Sequence, residues 1–278
     1  MTARLECLLL WRSRRPLLAF LALAFFLGLM LVGFYTYAQS RTGGDVDFRY
    51  TFENRSYFNG LTFAIYAFYF GFVLVLPIFA ATEGGAQIAG ETSSGTLLLM
   101  LSRPITRVRL YLTKLGVAAA FCSLATAGFL ALALSLGLVA VGWGDLDLYP
   151  GVVQMTDRHQ HIEQGEALRR FALAWPAASV ALFAPLCMSF WIASWSRSAV
   201  NAVATAVALY FVMYVISEVH FFADLRPWLF TSYMAYWRGL FRADVEWATV
   251  LRDGAKLAGF ALLFAGLGLG HFRRREER

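Results

Sequence analysis

Six stretches of this chain contain no Asp, Glu, Lys or Arg, and they leave it few ways to fold. They are residues 16–40, 56–82, 115–144, 171–196, 198–217 and 257–272, and together they make up 144 of 278 residues. About 20 apolar residues in a helix cross the hydrocarbon core of a bilayer. In that medium every backbone N–H and C=O must be bonded internally, which favours helices. The first five stretches are long enough outright. The sixth extends backward to residue 250 through Lys256 and Arg252, whose long side chains can reach the headgroups. Composition points the same way. Charged residues are 15% of the chain, against about 25% in a soluble domain. Hydrophobic residues are 59%, so the chain cannot cover itself in water, and it is too apolar for disorder. The expectation is an all-α, polytopic membrane protein: a single domain, 1–278, with six transmembrane helices. The first run is longer than the apolar core of a secretory signal, about 7–15 residues, so it reads as a span despite the cleavage-like Thr36-Tyr37-Ala38.

Basic residues set the orientation. With the N-terminus inside, the inner segments (1–15, 83–114, Arg197 and 273–278) hold 13 Lys/Arg against 5 Asp/Glu. The outer segments (41–55, 145–170 and 218–256) hold 11 against 13. An even number of spans returns the C-terminus to the cytoplasm. The net charge of +6 therefore reports topology and anionic lipid. The arginines form no single patch, so nucleic acid is not a partner. Cys7, Cys122 and Cys187 are too scattered for a disulfide framework or thiolate site; Cys122 and Cys187 sit in apolar runs as small hydrophobes.

Residues 3–15 alternate Leu5, Leu8, Leu9 and Trp11 with Arg4, Arg12, Arg14 and Arg15, which suits an interfacial amphipathic helix better than a solvated basic leader. The inner segment 83–114 is the most informative. Gly84-Gly85 is expected to end the second span in a flexible turn. Glu91 to Gly95 is small and polar, able to enter a groove on another protein. The run 97–101 is apolar enough to lie on the membrane surface. Pro104 breaks the chain, and Thr106 is placed to cap the third span, with Arg107 and Arg109 in its first turns. About 30 residues is long for a plain connection between packed helices, usually 2–8.

The pattern Glu91-x-x-x-Gly95-Thr96-Leu97, then Leu101-Ser102-Arg103-Pro104-Ile105-Thr106-Arg107 and Lys114, resembles the signature of ABC-2 type permeases, the six-helix membrane subunits of ATP-binding cassette exporters. It is most similar to the branch that includes permeases linked to copper-enzyme maturation. Many relatives carry Arg or Lys after the glutamate, where this chain has Thr92. The resemblance implies an N-terminal elbow helix and a cytoplasmic coupling helix between spans two and three. It implies that Ile88, Glu91, Thr92, Ser93, Ser94, Gly95 and Thr96 contact a separate ATPase subunit, with a lesser contact from Arg197 in the turn between spans four and five. Two ATPase copies, and a second permease copy or a sister subunit, are the implied partners.

The chain's own residues agree with a motor elsewhere. It contains no Gly-Lys pair, so no phosphate-binding loop can be written, and ATP and magnesium belong on the partner. The spans lack ionisable side chains at their centres, which disfavours an ion-coupled carrier. No catalytic set is apparent. In span five, Ser198, Ala202 and Ala206 recur at spacing four with Asn201 and Thr205 beside them, a small-residue stripe. It suits a subunit interface or the translocation path, and equally routine packing. Pro77, Pro176 and Pro185 can kink spans two and four. Of the outer segments, 145–170 reads as a solvated loop; His159-x-His161 could share a metal on a strand, but four ligands are not visible. Residues 218–256 are an aromatic belt, suited to short helices at the outer leaflet that anchor the chain or shape an exit gate. Either outer segment is a candidate site for an outer-face accessory protein. Three readings follow: an ATP-driven permease, a mechanotransmission subunit that drives an outer-face partner without moving a substrate, and an ion-coupled carrier.

Overall fold

Helix length decides how this chain sits across a bilayer. The computed structural model describes residues 15–42, 51–52, 55–56, 58–96, 106–149, 155–156 and 158–274. Among them, six helices are long and apolar enough to cross a membrane. They are α1 (Arg15–Thr42), α2 (Gly60–Ser93), α3 (Arg107–Ala140), α4 (Gln164–Trp195), α5 (Ala199–Glu218) and α6 (Trp247–Arg274). Two 3-10 helices, η1 (His220–Trp228) and η2 (Phe230–Phe241), link α5 to α6. The expected elbow helix at 3–15, apart from Arg15, and the apolar run at 97–101 lie outside the described residues.

The bundle has two distinguishable ends. At one, Asn59 caps α2, its carboxamide oxygen accepting from Thr62 N at 2.9 Å, while its NH2 donates to Asp145 O at 2.6 Å. Gly60 N donates to Gly142 O, which ties the start of α2 to the end of α3. Here also lies an antiparallel hairpin, β3 (Leu146–Leu148) with β4 (Gln160–Ile162), in the register Leu146↔Ile162, Asp147↔His161, Leu148↔Gln160. A second, shorter pair is β1 (Thr51–Phe52) with β2 (Arg55–Ser56). At the opposite end are Ser93 of α2, Arg107 of α3, the α4–α5 turn and the C-terminal turns of α6, where Phe272 packs on Tyr111 with ring centroids 5.7 Å apart. Helix α4 is the central element, packed against α2, α3, α5, α6 and η2. Helices α1 and α5 are peripheral and expose apolar side chains such as Phe25, Val32, Val200 and Val212.

Three segments depart from the expectations above. First, α2 does not stop at Gly84-Gly85 but runs on to Ser93. The two glycines are there for close approach rather than for a turn. A Cβ on Gly84 would lie 2.9 Å from Leu186 O and from Ser189 Cβ, and one on Gly85 would lie 2.7 Å from Val203 Cγ2. Hydrogen therefore lets α4 and α5 close on α2, and Ser189 Oγ donates to Ala81 O at 2.5 Å. Second, residues 145–170 are not merely a solvated loop: the hairpin buries Leu146, Leu148 and Ile162. Third, η1 stays at the surface, with none of its residues buried, but η2 does more than rest there. Trp237 of η2 is 1% exposed and meets the Phe68 ring at 4.7 Å and Phe72 at 5.5 Å. Those partners lie two to three turns inside α2, so η2 fills the hairpin half of the bundle.

Candidate functional site

At the end of α2 the helix is turned off by its own small side chains. The last carbonyls of a helix lack regular intrahelical donors, and here hydroxyls add to the backbone bonds around them. Thr92 Oγ1 donates to Ile88 O, Ser93 Oγ to Gly90 O, and Ser94 Oγ to Glu91 O, at 3.0, 2.9 and 3.2 Å. Ser94 N and Gly95 N donate to Gly90 O and Thr92 O. Gly95 then takes φ +72, the left-handed conformation that closes many helices and that suits glycine. The resulting turn, Ser93 to Thr96, is exposed.

One ion pair fixes the base of that turn. Lys114 Nζ lies 2.5 Å from Glu91 Oε1, the lysine side chain fully buried and the glutamate 19% exposed. Glu91 is on the last turns of α2 and Lys114 on the first turns of α3, so the pair joins the two helices just behind the exposed hydroxyls. One turn deeper on the same face, Gln87 Nε2 donates to the buried Glu83 Oε1 at 2.6 Å. On α3 Thr106 is the N-cap, its side chain accepting from Arg109 N at 3.3 Å, as its residue type suggested.

The other candidate residues divide by exposure. Ile88 is fully buried, so its side chain serves the bundle rather than an outside surface. Arg197 is exposed in the α4–α5 turn, on the same end as Ser93 to Thr96. Ser198 caps α5, accepting from Asn201 N at 3.5 Å. Ala202 and Ala206 are fully buried against this chain's own helices, so the stripe packs the bundle. Asn201 and Thr205 are exposed beside it and remain free to face a partner or a pathway.

Sequence reasoning missed two polar features. Pro77 has no N–H for the carbonyl four residues back, Val73, and α2 widens into a π-helical turn at Gly71–Val75. The Tyr210 hydroxyl donates to that Val73 carbonyl at 2.9 Å. The proline was the available signal. At the hairpin end, His161 Nδ1 lies 2.7 Å from Asp147 Oδ1, its partner across the ladder, and His159 Nε2 lies 3.9 Å from the same oxygen. The ring of Tyr149 sits 4.6 Å from that of His159, and its hydroxyl pKa is raised by burial and then by the Asp147 charge. Among the described residues no group of three or more His, Cys, Asp or Glu is arranged to hold a metal ion.

A multi-pass helical bundle with an exposed, braced turn at the end of its second span defines the class: a polytopic membrane protein. Residues 2–223 match the ABC-2 family transporter proteins, and the chain belongs to that family. It is thus a membrane permease subunit of an ABC transporter, the partner of an ABC ATPase. No curated protein matches the chain.

Proposed function

We propose that this chain is the permease of an ATP-driven exporter, lying in the cell's inner (plasma) membrane with both termini in the cytoplasm. Two copies, or one copy and a sister subunit, pair with two ATPase chains, which carry the ATP, the magnesium and the catalysis. The observation that carries this reading is the turn Ser93 to Thr96, exposed at the tip of α2 and braced by Glu91 and Lys114. Helix α2 spans 34 residues, or about 51 Å at 1.5 Å per residue, against a hydrocarbon core of about 30 Å. It is long enough to carry the turn well clear of the bilayer. Orientation is supported by charge: Arg107, Arg109, Lys114, Arg197, Arg273 and Arg274 gather at the turn's end of the bundle, as the inner side favours.

ATP-driven closure of the ATPase dimer pushes on the turn. A rigid α2, held to α3 by the ion pair and to α4 and α5 by glycine contacts, transmits the displacement to the hairpin end. Replacing residues 91–96 by a Gly/Ser linker is expected to abolish ATPase co-purification, while deletion within 150–157 leaves it intact. Undiminished co-purification with the linker variant would remove the proposal.

A mechanotransmission subunit is the second reading, favoured by the packed β3–β4 hairpin, a built surface at the proposed outer end. It predicts ATP turnover without substrate movement and a stable outer-face complex lost with the hairpin. Substrate accumulation in inverted vesicles rejects it.

A further inference from the structure

Where η2 gives way to α6 the chain encloses a cavity of about 260 Å³. Glu246 and Asp253 line it from the start of α6, and Arg242 lines it from the end of η2. Arg238 also borders it, but its guanidinium is engaged over the Tyr69 ring, 5.4 Å from the centroid. Arg242 is exposed, and its main chain is spent elsewhere: its N–H donates to Gly239 O and its C=O accepts from Arg170 Nη1 at 2.7 Å. Its guanidinium enters no ion pair among the described residues. The cation and the two carboxylates thus share one cavity without pairing.

The carboxylates have acceptor capacity to spare. Only 21% of the Asp253 side chain is exposed, yet it accepts no hydrogen bond among the described residues. Arg252 Nε and Lys256 Nζ approach its Oδ1 at 3.5 and 4.0 Å, too far and too exposed to hold it firmly. Glu246 Oε2 accepts from Thr249 Oγ1 at 3.1 Å, which leaves Oε1. Carboxylates in such a place call for a donor with several N–H groups, and a guanidinium calls for an anionic oxygen. A zwitterion with a primary ammonium and a phosphate meets both demands and adds no net charge.

The surroundings place the cavity beside lipid. Trp247 follows Glu246 directly and is 52% exposed, and Leu251, one turn further, is 68% exposed. An exposed Trp at the start of a span marks the headgroup level. Glu246 and Asp253 are seven residues apart, about 10 Å at helical rise, comparable to a headgroup layer of about 5–8 Å.

We infer that this cavity binds the phosphoethanolamine headgroup of a lipid from the leaflet at the hairpin end. The ammonium rests on Glu246 and Asp253, the phosphate on Arg242, and the acyl chains lie outside along Trp247 and Leu251. The inference does not depend on the exporter reading, since no ATPase enters its test.

The full chain in detergent micelles is loaded with equal amounts of phosphatidylethanolamine, its N,N-dimethyl derivative and phosphatidylcholine, all with the same acyl chains. Retained lipid is read by native mass spectrometry. The three headgroups keep the phosphate and the positive charge but carry three, one and no N–H donors. The intact chain is expected to retain phosphatidylethanolamine at least tenfold better than phosphatidylcholine, with the dimethyl lipid between them. Glu246→Gln with Asp253→Asn should erase that preference, and Arg242→Gln should lower phosphatidylethanolamine retention several-fold. Arg169→Gln, outside the cavity, should change neither, and each variant's melting temperature checks that it is folded. Equal retention of phosphatidylethanolamine and phosphatidylcholine, a preference that survives in the double variant, or unchanged retention in Arg242→Gln overturns the inference. Free phosphoethanolamine that displaces the lipid at equal molar concentration overturns the lipid and assigns the cavity to a soluble zwitterion; lipid that resists it supports the headgroup.

Discussion

Removing Glu91 should damage this protein far more than removing Glu91 and Lys114 together. The lysine is fully buried and 2.5 Å from the carboxylate, so Glu91→Ala takes the close counter-charge from an ammonium held away from water. Breaking a buried pair in this way costs about 3–5 kcal/mol, whereas replacing both members by apolar groups is often close to neutral. Glu91 keeps 19% exposure, so in Lys114→Met the carboxylate can recover some hydration, and that variant should be hurt less. The expected order of stability is wild type, then Glu91→Leu with Lys114→Met, then Lys114→Met, then Glu91→Ala. The full chain in detergent is unfolded by heat and by denaturant, with co-purification of the ATPase scored in parallel. For a chain of this size Glu91→Ala should lower the melting temperature by on the order of 10 °C. A double-mutant cycle built from Glu91→Leu, Lys114→Met and their combination should return a coupling energy of about 2 kcal/mol or more. Equal and additive losses in the two single variants would refute the idea that this pair braces the turn.

Three further outcomes follow from single contacts. Gly85→Ala should be destabilising because its Cβ would meet Val203 Cγ2 at 2.7 Å. Adding Val203→Ala should restore part of the loss, read as recovered melting temperature. Gly95→Ala has open space around the new Cβ but must hold φ +72, which costs about 1–2 kcal/mol; it should weaken ATPase association in a pull-down titration, and Gly95→Asn should weaken it less. Asn59→Ala removes both the α2 cap and the bond to Asp145 O, a loss of about 1–2 kcal/mol, seen as faster hydrogen exchange at the start of α2.

The six spans were legible because each is a run of uncharged residues long enough to cross a bilayer, and that signal needs no knowledge of neighbours. Thr106 and Ser198 could be placed at helix starts for an equally local reason, a hydroxyl before an apolar run. Gly84-Gly85 was misread because two glycines look alike whether they turn a chain or admit another helix. Only the positions of Leu186, Ser189 and Val203, more than 100 residues away in sequence, tell the two apart. The hairpin was hidden for a similar reason: Asp147 and His161 are 14 residues apart, and only their pairing makes the segment a strand ladder. Span five's small residues suit a subunit interface, a pathway or routine packing alike in sequence, and only the burial of Ala202 and Ala206 against the chain's own helices decides for packing at those two positions. The cavity was beyond reach altogether, since residues 155, 232–242 and 246–253 meet only when the bundle closes.

The central claim is that an ATPase grips the tip of α2. Single cysteines at Ser94, at Arg197 and, on the opposite end, at Asp224 can each be cross-linked in native membranes to the ATPase subunit. The account predicts adducts from Ser94 and Arg197 that change in yield with ATP, and none from Asp224. Adducts from Asp224, or a Ser94 position that never reaches the ATPase, would contradict it.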